Sequence, residues 1–332
     1  MTGTKKKNRW NILFFLIGLA GVIWMLLKTD LRQIDWDGAV LRRMPLWLPG
    51  ILLLWAVIYL LHTLAYRVII GPDEKKPGFL RMFRVTVCGF ALNNVTPVGL
   101  IGGEPYRIME LKETLGASKA TATTLTFSVM HVFAQIVFWT AGAVLYLALG
   151  RPGGTIATVI AAIVTAAGAL VIALFLLGKR EGKVRSILRT LSGLPWLGQK
   201  IAAFTKKRRD TLDSIDREMT AFHARPRDFY LVLALECAGR FLEAMEYFIV
   251  FLALGTPVSP LWCVVALANA SLLGNLLFVV PMQVGSREGG MALVLGWLGI
   301  SSTVSVTASL MTRIREIIYL ALGVGLLPKK SK

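Results

Sequence analysis

Residues Asn93 to Arg107 read NNVTPVGLIGGEPYR and close a strongly apolar run. Pro97 has no amide hydrogen to give a helix, and Gly99, Gly102 and Gly103 loosen the backbone around it. A broken stretch beside apolar helices either ends a helix at the surface or lines a cavity inside a membrane, where protein or water satisfies its polar groups. A second stretch, FVVPMQVGSREGG around Pro281, has the same character. An offset of 184 residues carries Pro97 onto Pro281 and Glu104 onto Glu288. It also lays the apolar runs 45–70 and 79–98 on 229–254 and 263–282, and the helix starting near Lys119 on that starting near Thr303. Matching Gly/Pro-interrupted segments in two halves of a chain point to a transporter's binding site.

Of the 332 residues, 55% are hydrophobic and 17% charged, with a mean hydropathy of +0.63. A soluble domain carries about 25% charged residues. The composition therefore predicts a polytopic membrane protein, all-α, built as one integral membrane domain over residues 1–332. Cys88, Cys237 and Cys263 lie in apolar runs without metal-ligand spacing and read as core residues. A net charge of +18 would suggest nucleic acid in a soluble protein. In a membrane protein the basic residues mark cytoplasmic loops, and no nucleic-acid partner is expected.

The hydropathy pattern divides the chain into a first repeat over about 45–149 and a second over about 228–327. Apolar segments 11–27 and 155–178 fall outside the repeat and read as peripheral helices. Segment 179–227 holds thirteen Lys/Arg against five Asp/Glu, interspersed with Leu188, Leu191, Leu194, Trp196, Leu197, Ile201 and Phe204. That mixture suits either amphipathic helices lying on an anionic cytoplasmic leaflet or a solvated linker between halves. In each repeat a long arm and a shorter, more polar arm flank the Gly/Pro tip, which predicts a re-entrant hairpin. The alternative is a full crossing followed by an interfacial arm. With both hairpins re-entrant, the turn at Lys75, segment 179–227 and the lysines at the C-terminus all fall on the cytoplasmic side with the N-terminus. The two repeats are then inverted, the arrangement of many alternating-access carriers.

Ionisable residues inside a membrane helix cost about 2.5–3.5 kcal/mol each on insertion scales and usually mark a pathway. Candidates here are His62, His131, Glu236, Arg240, Glu243, Glu246, Arg313, Arg315 and Glu316. Glu236, Arg240 and Glu243 share one helix face, with Glu246 to its side. The offset of 184 places His62 on Glu246 and His131 on Arg315. At the tips, Asn93, Asn94, Pro97, Gly102, Gly103, Glu104 and Arg107, with Pro281, Gly285, Arg287 and Glu288, form the candidate substrate-binding set. Both tips carry both signs of charge. These charges either neutralise one another as internal ion pairs or bind a polar headgroup together with main-chain groups that the glycines leave open. No metal site and no cofactor is expected. The three histidines, His62, His131 and His223, lack an H-E-x-x-H context, and phosphate-loop, dinucleotide and nucleophile-elbow motifs are absent.

LNNVTPVGLIGGEPYRIMELK, followed at a distance by VPMQVGSREGG, resembles the membrane domain of the lysylphosphatidylglycerol synthase/flippase family. Pro97, Gly102, Gly103, Glu104 and Arg107 match the first motif of that family, and Pro281, Gly285, Arg287 and Glu288 the second. Met282 and Gln283 stand where the family usually has Gly-Gly. Full-length synthases carry a soluble aminoacyl-transferase domain after the membrane part, whereas this chain ends at Lys332. The resemblance thus implies the lipid-translocating half or a stand-alone relative, rather than synthesis. The expected function is a flippase for an aminoacylated phospholipid or a polyprenyl-phosphate-linked lipid. An integral-membrane enzyme or accessory protein acting on lipid-linked intermediates is the alternative, and a small-solute carrier a weaker one. Expected partners are membrane lipids and the anionic leaflet, with a homodimer as an option. The expected location is a bacterial or archaeal cytoplasmic membrane, multi-pass, with both termini inside.

Overall fold

A computed structural model describes residues 39–72, 76–95, 102–150, 153–177, 209–276 and 286–327, and every regular element among them is a helix. In chain order these are α1 (Ala39–Ile70), α2 (Phe79–Val95), α3 (Gly103–Leu115), α4 (Ala117–Ala148), α5 (Gly154–Leu177), α6 (Arg209–His223), α7 (Pro226–Ala253), α8 (Pro260–Leu276), α9 (Ser286–Trp297) and α10 (Ser302–Gly325). The segment 11–27, residues 178–208, Pro97, Pro281 and Gly285 lie outside the described residues.

Helices form here because Leu, Ile, Ala and Val runs satisfy the whole backbone internally, as a lipid environment requires. Among the described residues, three helices are long and apolar enough to cross a membrane: Trp47–Ile70 within α1, Ala117–Ala148 and Gly154–Leu177. The chain is thus an all-α membrane protein. α7 has 28 residues but carries Glu236, Arg240, Glu243 and Glu246, so burial in protein, not lipid, must hold it. α1 starts earlier than the apolar run 45–70, running from Ala39 through Pro45 and Pro49. Both prolines are exposed, near the start of the helix. Gly71, at φ +102°, ends α1 in a conformation that a Cβ disfavours.

α1 and α7 lie against each other. α2 packs on α10 and α8 on α4. α3 packs on α2 and α4, as α9 packs on α8 and α10. α1 touches α2 and α4 where α7 touches α8 and α10. α5 packs along α4, with Phe175 stacked on Phe133 at 4.0 Å, and leaves Ile156, Ile160, Ile163, Leu170 and Leu174 exposed. An apolar face of that kind suits lipid. Two large apolar cores result among the described residues, beside smaller clusters around Cys88 and Ala122. One gathers Trp47, Phe138, Tyr146, Tyr247 and Phe251, and the other Tyr66, Met82, Phe127, Phe222 and Phe229.

Candidate functional site

The first polar cluster sits where α2 ends and α3 begins. A Cβ on Gly103 would lie 2.1 Å from the Gly89 carbonyl oxygen, so only glycine lets the two helices meet this closely. The Gly103 amide donates to Asn93 Oδ1 at 2.6 Å and ties the ends together. Gly102 is buried and Asn94 is exposed. Glu104 Oε1 accepts from Ser128 Oγ at 3.0 Å, from Arg107 Nη1 at 3.3 Å and from Asn93 Nδ2 at 3.4 Å. Arg107 is 1% exposed. Its guanidinium lies 4.7 Å from the Phe90 ring centre and 5.2 Å from that of Phe127, and it fills the space a Gly89 side chain would take. Arg107 Nε and Nη2 and Glu104 Oε2 are buried with no hydrogen-bond partner. Unmade bonds on buried charged groups are expensive, so this pair has donors and an acceptor in reserve.

The second cluster joins α9, α7 and α10. Arg287 Nη1 pairs with Glu316, Nη2 donates to Thr312 Oγ1 at 3.0 Å, and Nε and Nη2 both reach Tyr247 Oη at 3.2 Å. Glu316 also holds Arg313 at 2.7 Å. Beside it, Arg315 forks onto Glu246 at 2.9 and 2.7 Å. Trp55 completes this group, donating its indole N–H to Glu246 at 2.9 Å and lying 3.7 Å under the Arg315 guanidinium. Glu288 falls within α9.

The third cluster is centred on α7. Glu236, 0% exposed, receives His62 Nδ1 at 3.0 Å on one carboxylate oxygen and His131 Nδ1 at 2.7 Å on the other. The imidazole rings are 5.1 Å apart. Arg240 Nη2 contacts His131 Nε2, and Arg240 Nη1 lies 3.1 Å from both oxygens of Glu243. By distance alone the triad is a grouping that could hold a metal ion, with its ligand atoms within 4.8 Å of one another. The chemistry argues otherwise. A guanidinium has only donors, so His131 Nε2 must accept, and its proton sits on Nδ1. A protonated Nδ1 donates to Glu236 and has no lone pair for a metal.

The residues expected from the sequence thus separate into three groups. Asn93, Gly103, Glu104 and Arg107 meet at one tip, and His62, His131, Glu236, Arg240 and Glu243 meet between α1, α4 and α7. Glu246, Arg287, Arg313, Arg315 and Glu316 meet around α10. Sequence reasoning missed Ser128, Thr312, Tyr247, Trp55, Phe90 and Phe127. For two of them a signal was present. Ser128 and Thr312 are hydroxyl residues 184 apart, and each touches the charged residue of a tip helix. Arg287's reach to Glu316 had no sequence signal.

A family model described as "Lysylphosphatidylglycerol synthase TM region" matches residues 11–323. Two UPF0104 membrane proteins of Methanothermobacter thermautotrophicus are similar to this chain. One is 25% identical over 97% of this chain and 96% of its own length, the other 23% identical over 94% and 91%. No solved structure matches significantly.

Proposed function

Since the chain belongs to the family of lysylphosphatidylglycerol synthase transmembrane regions, we propose that it moves a phosphate-bearing lipid with a polar headgroup between leaflets. The candidates are an aminoacylated phospholipid and a polyprenyl-phosphate-linked lipid. The observation that carries this reading is the half-satisfied pair Glu104–Arg107 at the first tip. A headgroup leaving water needs its hydration replaced. Arg107 has two buried N–H-bearing nitrogens to offer a phosphate, in a fork geometry that lysine does not reproduce. Glu104 Oε2 is free to accept from an ammonium or a sugar hydroxyl. Arg287, on the corresponding tip helix, supplies a second guanidinium.

The translocating unit of this proposal comprises two inverted repeats, 45–149 and 228–327, each with a re-entrant hairpin at its tip. The matching helix contacts at the offset of 184 support it. So does the distribution of Lys and Arg. Helix Gly154–Leu177 flanks the repeats. Native mass spectrometry of the purified protein tests the headgroup site. Retention of a phosphate-bearing lipid by the wild type, and its loss in Arg107→Lys, supports the reading. Equal retention in both contradicts it, and a chemically altered lipid would favour an enzyme.

A further inference from the structure

The buried triad is not used in the headgroup site proposed above, and Glu236 and His62 within it are 0% and 2% exposed. Its immediate surroundings define its charge. On α7 it is flanked by Cys237, Arg240 and Glu243, and α1 contributes His62 and, further along, Tyr59. α4 contributes His131, and α2 places Phe90 5.1 Å from each imidazole. α3 contributes Arg107, which interacts electrostatically with Glu236 as well as Glu104. With both imidazoles neutral, three carboxylates, Glu104, Glu236 and Glu243, face two guanidiniums, Arg107 and Arg240. On α10 and its neighbours, Arg287, Arg313 and Arg315 stand against Glu246 and Glu316. The three clusters together are therefore neutral with the triad unprotonated, and a proton on the triad leaves them one positive charge over, which an anionic headgroup offsets.

We infer that the His62–Glu236–His131 triad is a proton-binding site and that its proton is cotransported with the lipid. The inference rests on the translocation reading above and adds its energy source. Two observations besides the charge count carry it. First, Glu236 is gripped at both oxygens by imidazoles, so a proton arriving at His62 Nε2 is shared with the carboxylate through the Nδ1–H bond while Arg240 keeps its place on His131. Second, the triad and the headgroup site share Arg107 as an electrostatic neighbour. While Glu236 is ionised, its charge competes for Arg107 with an incoming phosphate. Once the triad is protonated, that competition ends and the phosphate takes the guanidinium. Proton and anionic headgroup therefore enter together, and the emptied carrier returns with neither. Metal binding, the other use of two histidines and a glutamate, conflicts with the Nδ1–H form that Arg240 imposes on His131.

The test uses the full chain in sealed vesicles containing a headgroup-labelled anionic phospholipid, with and without a pH gradient. At one proton per lipid, a gradient of about one pH unit shifts the steady-state distribution about tenfold toward the alkaline side. In Glu236→Gln that asymmetry disappears. Exchange that ignores the gradient in the wild type overturns the coupling while leaving translocation intact. Asymmetry that persists in Glu236→Gln overturns the assignment to the triad. Failure of all exchange contradicts the translocation reading itself. Proton uptake by the detergent-solubilised protein after a pH jump reads the site without transport. The wild type takes up one proton more than Glu236→Gln, and equal uptake overturns the inference. Stoichiometric zinc bound to the wild type and lost in His62→Gln would also overturn it.

Discussion

Removing one member of the Glu104–Arg107 pair leaves the other as a buried charge, but the two losses are unequal. After Arg107→Gln, Glu104 keeps Ser128 at 3.0 Å and Asn93 at 3.4 Å. After Glu104→Gln, Arg107 keeps Phe90 and Phe127 but loses its carboxylate. Breaking a buried pair costs about 3–5 kcal/mol. Hydrogen bonds to a charged group contribute about 1.5–3 kcal/mol each. Arg107→Gln therefore falls at or below the lower end of that range, and Glu104→Gln near the upper end. The double variant should recover most of the loss, because no isolated charge remains. The assay is reversible unfolding in detergent for the two single variants, the double variant and the wild type, with leaflet exchange measured on each. Equal single losses that simply add in the double variant would refute the coupling. Restored stability with full exchange would refute the headgroup role and leave a purely structural pair. Restored stability without exchange is the expected result.

Gly103→Ala puts a methyl against the Gly89 carbonyl and should lower stability by about 1–3 kcal/mol, read by thermal unfolding. In Gly89→Ala the methyl first meets the Arg107 guanidinium, 2.3 Å from Nε, and displaces it rather than backbone, so folding should survive while lipid exchange falls. Arg315→Gln leaves Glu246 with the Trp55 indole N–H but without its guanidinium and should cost about 3 kcal/mol, with Glu246→Gln added in the same chain recovering stability in detergent. Replacing Lys206, Lys207, Arg208 and Arg209 with Gln in a peptide spanning 179–227 should weaken binding to anionic vesicles by about 1 kcal/mol per basic residue, an effect that salt should mimic.

The broken stretch at Asn93–Arg107 and its copy 184 residues on were enough to anticipate the helices that carry the site, with α2 and α8 ending close to where the Gly/Pro tips interrupt them. The same offset placed His62 on Glu246 and His131 on Arg315. Folding brings the histidines together, and it brings Glu246 and Arg315 together. Glu246 lies ten residues beyond Glu236, a rotation of roughly 80° around the helix, which explains why it leaves the triad's face and turns to α10. Long-range partners were not legible. Periodicity reports neighbours three or four residues apart on one helix. It does not report how α9 sits against α10, so Arg287's bonds to Glu316 and Thr312 escaped it. The aromatic floor under Arg107 escaped for the same reason, because Phe90 and Phe127 read as ordinary core residues within α2 and α4.

The central claim is translocation through a path that includes Arg107. Its most direct test is leaflet exchange of a headgroup-labelled phospholipid in vesicles reconstituted with the purified full chain, beside Arg107→Lys and empty vesicles. Exchange well above the empty-vesicle rate in the wild type, with the lipid chemically unchanged and the rate strongly reduced in folded Arg107→Lys, is the predicted result. Wild-type exchange no faster than in empty vesicles would contradict the account.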